Sequence, residues 1–172
     1  MKVRLTIDDV HIFEIGCADI ASLIRCLPDD LPHAIMLSRF CEHPSSEVRC
    51  AIAAMNFMSS NVLEMLARDT CIKVVSRVAC NHRALKYFQS PVILEMISRD
   101  VSIGLDIAEN LAWIQDDVRV EVVQALLCHG DPTVVEIALN FMNDELQWRQ
   151  GAIPHHLSWI SSFEGEGCDE CK

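Results

Sequence analysis

A short phrase that the chain writes twice constrains its fold more than any other feature. Residues 62–69 read Val-Leu-Glu-Met-Leu-Ala-Arg-Asp, and residues 93–100 read Ile-Leu-Glu-Met-Ile-Ser-Arg-Asp. Five of the eight positions are identical and the other three are conservative exchanges. The offset is 31 residues, and Asp131 stands another 31 beyond Asp100. A period of this length marks stacked repeats, in which no unit buries its apolar face alone and each buries it against its neighbours.

The hydrophobic pattern says that the repeating unit is helical. From residue 19 onward apolar residues recur at three- and four-residue intervals, the spacing of one helix face. The expected stripes are Ile20, Leu23, Ile24 and Leu27; Ile35, Met36 and Phe40; Val48, Ile52 and Met55; Val62, Met65 and Leu66; Ile72, Val75 and Val78; Ile103, Ile107 and Leu111; Val120, Val123 and Leu127; and Val134, Ile137, Ala138 and Phe141. Turn and capping residues separate them: Pro28-Asp29-Asp30, His43-Pro44-Ser45-Ser46, Asp69, Asp100, Asp116-Asp117 and His129-Gly130-Asp131-Pro132. Asn81 is read as a break that runs on to Pro91. Within the duplicated phrase, Leu63, Leu94, Met65 and Met96 are expected to face the core. Residues 3–15 are ambiguous: Val3, Leu5 and Ile7 alternate as in a hairpin, while Asp8 could cap a helix with Val10, Phe13 and Ile15. The helix is preferred, because everything downstream is helical.

The second helix of each expected pair ends alike, at Ala54-Met55-Asn56, Ala79-Cys80-Asn81, Ala108-Glu109-Asn110 and Ala138-Leu139-Asn140. Alanine lets helices approach, and asparagine tolerates the left-handed conformation that closes a helix. Leu-x-x-Leu, Asp-(Pro), Val-Arg and Ala-x-Asn in this order resemble the HEAT-like repeats, in particular the leucine-rich repeat variant kind. The likeness covers about residues 31–143 and is best from Met65-Leu66-Ala67-Arg68-Asp69 to Ala79-Cys80-Asn81. It departs at His43, which stands in place of the Asp, and the Val-Arg pair is read as surviving only at Val48-Arg49. The resemblance implies an all-α, right-handed α-solenoid (an alpha-alpha superhelix) of about four to five antiparallel helix pairs. The chain divides into one repeat domain over 1–163, with an N-terminal cap at 1–30, repeats at 31–143 and a C-terminal cap at 144–163. An acidic tail expected to be disordered follows at 164–172. Such repeats mostly bind proteins; some relatives act on nucleic acid, and some variant-repeat proteins carry an iron–sulfur cluster.

Charge narrows these classes. The net charge is −11, and residues 131–172 hold eight acids against two bases. Phosphate backbones attract clustered Lys and Arg, so nucleic acid and anionic membrane are not expected partners. One segment runs the other way: Arg68, Lys73, Arg77, Arg83 and Lys86 face only Asp69. No apolar run approaches the length of a bilayer span, and the first residues lack a secretory pattern, so a cytoplasmic location is expected. Nine cysteines, an odd number, argue against a disulfide framework and for thiols used as small hydrophobes.

Candidate sites follow from the polar positions of the second helices. Lys73, Ser76 and Arg77 should point outward on one helix, Asp106 and Glu109 on the next, and Glu136 and Asn140 on the last. A basic row beside two acidic rows would make a charge-patterned binding face for another protein, as in an inhibitor or immunity-type protein; the competing reading is a solvated face with weak ion pairs. No cofactor, metal or catalytic residue is expected. The rival reading is a metal- or iron–sulfur-binding protein using Cys168 and Cys171 with His155 or His156, or Cys17, Cys26, Cys41 and Cys50; zinc requires four ligands in most structural sites and a cluster four thiolates. A HEAT-like nucleic-acid enzyme is the third reading, opposed by the charge. Trp113 is expected in the core. Trp148 and Trp159 are expected to seal the end of the stack, leaving a monomer or weak homodimer.

Overall fold

The computed structural model describes residues 3–7 and 10–149. Among them, ten α-helices follow one antiparallel strand pair. The strands are β1 (Val3–Ile7) and β2 (Val10–Ile15), which corrects the expected N-terminal helix. Leu5 pairs with Phe13 and Thr6 with His11, so Ile12 is an extra residue at a bulge. The period-two alternation of Val3, Leu5 and Ile7 outweighed the helical character of the downstream chain.

The helices are α1 (Cys17–Cys26), α2 (Leu31–Leu37), α3 (Ser46–Ala53), α4 (Ser60–Ala67), α5 (Ile72–Ala79), α6 (His82–Tyr87), α7 (Ser90–Ile97), α8 (Val101–Glu109), α9 (Asp116–Leu127) and α10 (Pro132–Arg149). Helix α6 fills the stretch read as a break. Their contacts are mostly sequential and form two rows. In one row α1 packs on α3, α3 on α5, α5 on α8 and α8 on α10; in the other α4 packs on α7 and α7 on α9. The core lies between the rows. Val48, Ile52, Val74, Val78, Ile103, Ile107, Val134 and Ala138 come from the first row, and Leu63, Leu66, Ile93, Met96, Val122 and Leu126 from the second, all with almost no exposed surface. Each large side chain so buried contributes about 1.5–3 kcal/mol. No helix among the described residues is long and apolar enough to cross a membrane.

One device recurs at the turns between helices: a side-chain acceptor takes the backbone N–H two residues on. Asp69 accepts from Cys71 (2.8 Å), Asn81 from Arg83 (3.0 Å), Asp100 from Ser102 (2.9 Å) and Asp131 from Thr133 (2.9 Å). The two turn histidines do the same with a ring nitrogen. Nδ1 of His43 accepts from Ser45 and Nδ1 of His129 from Asp131, each at 3.1 Å. His43 therefore replaces the expected Asp in its hydrogen bond as well as in its position. Its Nε2 is buried with no hydrogen-bond partner.

Asn81 and Asn110 are not left-handed closures, and Asn140, expected to end its helix, lies inside α10. Asn81 (φ −91°) caps α6 and is buried; its Oδ1 takes the N–H groups of Arg83 and Ala84, and its Nδ2 donates to the carbonyls of Ala53 and Met55. Asn110 (φ −110°) ends α8 and donates to the carbonyl of Asp106. Asn56 binds Asp29 through both its N–H and its amide.

Several expected stripes are displaced. In α2 the buried residues are Ala34 and Leu37, while Ile35 and Met36 are exposed. In α1 Leu23 is exposed beside buried Ala21 and Ile24. In α9 Val118, Val122, Val123 and Leu126 are buried and Val120 is exposed. Met65 is exposed, Leu94 is half-buried, and Leu63 and Met96 are buried as expected. Trp113 lies on the surface, stacked on His82 with centroids 4.3 Å apart. Of the sealing tryptophans, Trp159 lies outside the described residues and the side chain of Trp148 is likewise outside them. The same holds for His155, His156, Cys168 and Cys171, and for the acidic tail at 164–172.

Candidate functional site: the face of α3, α5 and α8

Helix α5 carries the centre of this site. Its apolar residues Val74, Val75, Val78 and Ala79 are fully buried, which leaves Lys73, Ser76, Arg77 and Cys80 on the opposite side at intervals of three and four residues. With Cys50 from α3 and Ser102 from α8 they line a cavity of about 360 Å³. Lys73 and Arg77 are both exposed. Among the described residues neither forms a salt bridge.

A carboxylate of the neighbouring helix is already committed. Ser76 donates its hydroxyl to Asp106 at 2.6 Å, joining α5 to α8, and Asp106 is half-buried. Its charge is felt at Cys80, whose thiol is pushed up by burial and then by Asp106. Cys50 is likewise pushed up, by burial and then by Cys71. Cys71, the N-terminal cap of α5, goes the other way. Burial raises it, but the N–H groups of Lys73 and Val74 and the Ser46 hydroxyl outweigh that and lower it.

Lys73, Ser76 and Arg77 thus line one cavity, and Ser76 joins it to Asp106 of α8, which is not among the lining residues. Glu109 is exposed at the end of α8, next to Cys80 in charge terms. Glu136 and Asn140 are exposed on α10, which packs on α8, but they do not line this cavity. Cys50, Cys80 and Ser102 were not anticipated. Cys80 was legible, because it stands seven residues after Lys73 and three after Arg77. Cys50 and Ser102 depend on neighbouring helices, and no local pattern reports them. No group of three His, Cys, Asp or Glu side chains among the described residues is placed to hold a metal ion, so Cys17, Cys26, Cys41 and Cys50 are not gathered into one.

A second Val-Arg pair lies at Val118-Arg119, and it does structurally what Val48-Arg49 does. Arg49 donates to the carbonyls of His43 and Pro44 and to both oxygens of Asp69. Arg119 donates twice to the carbonyl of Ile114 and once to Glu145 at 2.6 Å. Both arginines tie the turn before their own helix to a carboxylate further along the chain, so neither is available to a ligand. No protein-family model matches the chain, and neither a curated protein nor a solved structure does.

Proposed function

We propose that the chain is a right-handed α-solenoid of HEAT-like helix pairs that works as a protein-interaction module, with Lys73 and Arg77 receiving an acidic group of the partner. The observation that carries the binding reading is the state of charge in the α5 cavity. Two exposed cations line it without a salt bridge among the described residues, while Asp106 is held by Ser76. In a chain of net charge −11, exposed cations without a salt bridge among the described residues invite an anionic group from outside, and such complementarity governs specificity and encounter rate. The repeat reading draws support from the distances in sequence across which side chains join helices. Asn81 reaches back 28 residues to Ala53, Ser76 forward 30 to Asp106, Arg99 back 30 to Asp69, and Gln115 back 29 to Lys86.

An inhibitor or immunity-type role suits a small acidic module of this kind, and no enzymatic chemistry is proposed. The test is capture by the immobilised protein, comparing wild type with Lys73→Glu plus Arg77→Glu. Both residues are exposed, so the fold should be unchanged by circular dichroism. Partners bound through this face should be lost from the double variant and should elute from wild type with added salt. An unchanged set of bound proteins at both salt levels would overturn the assignment of the face.

A further inference from the structure

Helix α2 turns its larger apolar residues away from the core. Ala34 and Leu37 are buried, while Leu31 and Ile35 are 57% and 67% exposed. These two stand one turn apart on the helix. With Phe57 of the loop before α4 and Tyr87 of α6 they wall a groove of about 440 Å³. Phe57 and Tyr87 are exposed as well. Asp29 steadies the loop by accepting the N–H groups of Asn56 and Phe57. None of the residues that line this groove lines the α5 cavity, so the two are separate surfaces.

One charged side chain, Arg83, stands among the described residues that line the groove. Its guanidinium carbon sits over two rings, 5.0 Å from the centroid of Phe57 and 5.7 Å from that of Tyr87. A guanidinium over aromatic rings is held in place, yet its N–H groups can still form the two parallel bonds that a carboxylate takes. Among the described residues Arg83 forms no salt bridge. Arg119 is the contrast. It also stacks on a ring, that of Phe141, in a groove between α9 and α10, but Asp116 and Glu145 already pair with it. We propose that the groove between α2 and α6 docks a segment of a partner protein in which a bulky apolar side chain stands beside a carboxylate. The side chain enters between Leu31, Ile35, Phe57 and Tyr87, and the carboxylate takes the N–H groups of Arg83.

Three observations favour this occupant. Charge is the first: apolar walls around a single cation complement an apolar segment that carries an anion. The nearby carboxylate of Asp29 does not line the groove, and its oxygens are taken by Asn56 and Phe57. Composition is the second, since arginine and tyrosine are enriched among the residues that dominate binding energy at interfaces. The third sets aside a second copy of the chain. A two-fold dimer centred on the groove would bring two copies of Arg83 together, and chains of net charge −11 repel one another. Lys73 and Arg77 take no part in this surface, so either surface can fail its test alone.

The test selects displayed random dodecapeptides on the immobilised full chain and measures the selected peptides, made synthetically, by fluorescence anisotropy. A family of sequences with Leu, Ile, Met or Phe beside Asp or Glu should emerge. Ile35→Asp and Arg83→Glu should each weaken these peptides by about tenfold or more. Arg83→Lys should weaken them less, and Lys73→Glu plus Arg77→Glu should leave them unchanged. Ile35→Asp alters an exposed position and leaves the Arg83 stack in place, so its effect is read on a chain whose fold circular dichroism checks. A selection that returns no common sequence, or only basic or uncharged ones, would overturn the proposal. So would peptides that survive both groove substitutions, or that are lost only with Lys73→Glu plus Arg77→Glu. A dimer in sedimentation that Ile35→Asp separates would assign the groove to a second copy and overturn it equally.

Discussion

The two copies of the repeated phrase have nearly the same sequence and different fates. In the first copy the second, fifth and sixth residues, Leu63, Leu66 and Ala67, are buried. In the second copy the first, fourth and fifth are, namely Ile93, Met96 and Ile97. The buried face has moved by one residue, a rotation of about 100° on a helix of 3.6 residues per turn. The closing Arg-Asp pairs differ as well. Asp69 holds Arg49 through both oxygens, at 2.6 and 2.9 Å, while its own carbonyl and that of Ala67 accept from Arg99. Among the described residues the Asp100 side chain binds only within its own turn, to the N–H and hydroxyl of Ser102. Arg68 lies on the surface with Glu64 and Glu95, whereas Arg99 reaches back to the first copy. An eight-residue phrase therefore specifies a helix and a turn, but what crosses to the neighbour is decided by the neighbour. Arg49 stands six residues after its turn residue, His43; six residues after Asp69 stands Val75, which is fully buried and offers Asp100 nothing.

The largest expected effect breaks this comparison at its stronger member. Arg49→Ala leaves Asp69, whose side chain is 8% exposed, without its ion partner. Removing one member of a fully buried pair costs about 3–5 kcal/mol; this pair is part-buried and Asp69 keeps the Cys71 N–H and the nearby Arg99 guanidinium, so the loss should fall towards or below the lower end of that range. Asp100→Ala removes a helix cap on the surface and costs about 1 kcal/mol. Urea denaturation of both variants measures the contrast. Equal losses would mean that the Arg49–Asp69 bridge contributes no more than a cap, and the distinction between the two turns would fall.

The sequence pattern revealed the turns more fully than the helix faces, for a physical reason. A turn is made by local chemistry, and Pro32, Asp100 and Pro132 stand at helix starts where their backbone preferences put them. The face that a short helix buries is set by packing against elements far away in sequence. Ile35 and Met36 look like core and are exposed, because α2 buries its small residue Ala34 with Leu37 instead. Trp113 was misplaced for the same reason: its partner His82 lies in a helix that the pattern did not reveal. At the candidate site Lys73, Ser76 and Arg77 were legible because one helix carries them all. The commitment of Asp106 to Ser76 was not, since it joins positions 30 residues apart.

Acid sharpens the comparison by acting on the same carboxylate. Burial raises the pKa of Asp69, but the bonds from Arg49 and from the Cys71 N–H outweigh it, and the net shift is downward. A carboxylate whose pKa is lower folded than unfolded stabilises the fold above its unfolded value of about 3.9. That contribution is lost as pH falls through the lower folded value. Wild type should therefore lose its advantage over Arg49→Met progressively below about pH 4. Asp100 is also shifted down, by the Ser102 hydroxyl and N–H, but it is fully exposed and no comparable pH-dependent gap is expected for Asp100→Asn. Stability curves of the three proteins measured across the acid range decide the matter. A gap between wild type and Arg49→Met that stays constant down to the acid transition would show that Asp69 titrates as an ordinary carboxylate.

The smallest expected effect is a gain, on the side of the second copy. Helix α8 begins at Asp100 and carries Gly104 at a buried position in its interior. Glycine inside a helix costs roughly 0.5–1 kcal/mol relative to alanine, because the unfolded chain loses more freedom. The question is whether α8 needs glycine there in order to approach α10. A β-carbon built on Gly104 meets Nε2 of His129 at 3.5 Å and Cγ2 of Val134 at 3.6 Å, which are ordinary contact distances. Gly104→Ala should then stabilise the protein by roughly 0.5–1 kcal/mol, raising the urea midpoint with little change in slope. Combined with Asp100→Ala it should offset most of the lost cap, since the two act on one helix by different means. Because Arg49 lies on α3, the gain should simply add to the loss in Arg49→Ala. A loss of stability in Gly104→Ala would mean that α8 and α10 sit closer than these distances allow, and that close approach at glycine governs this joint.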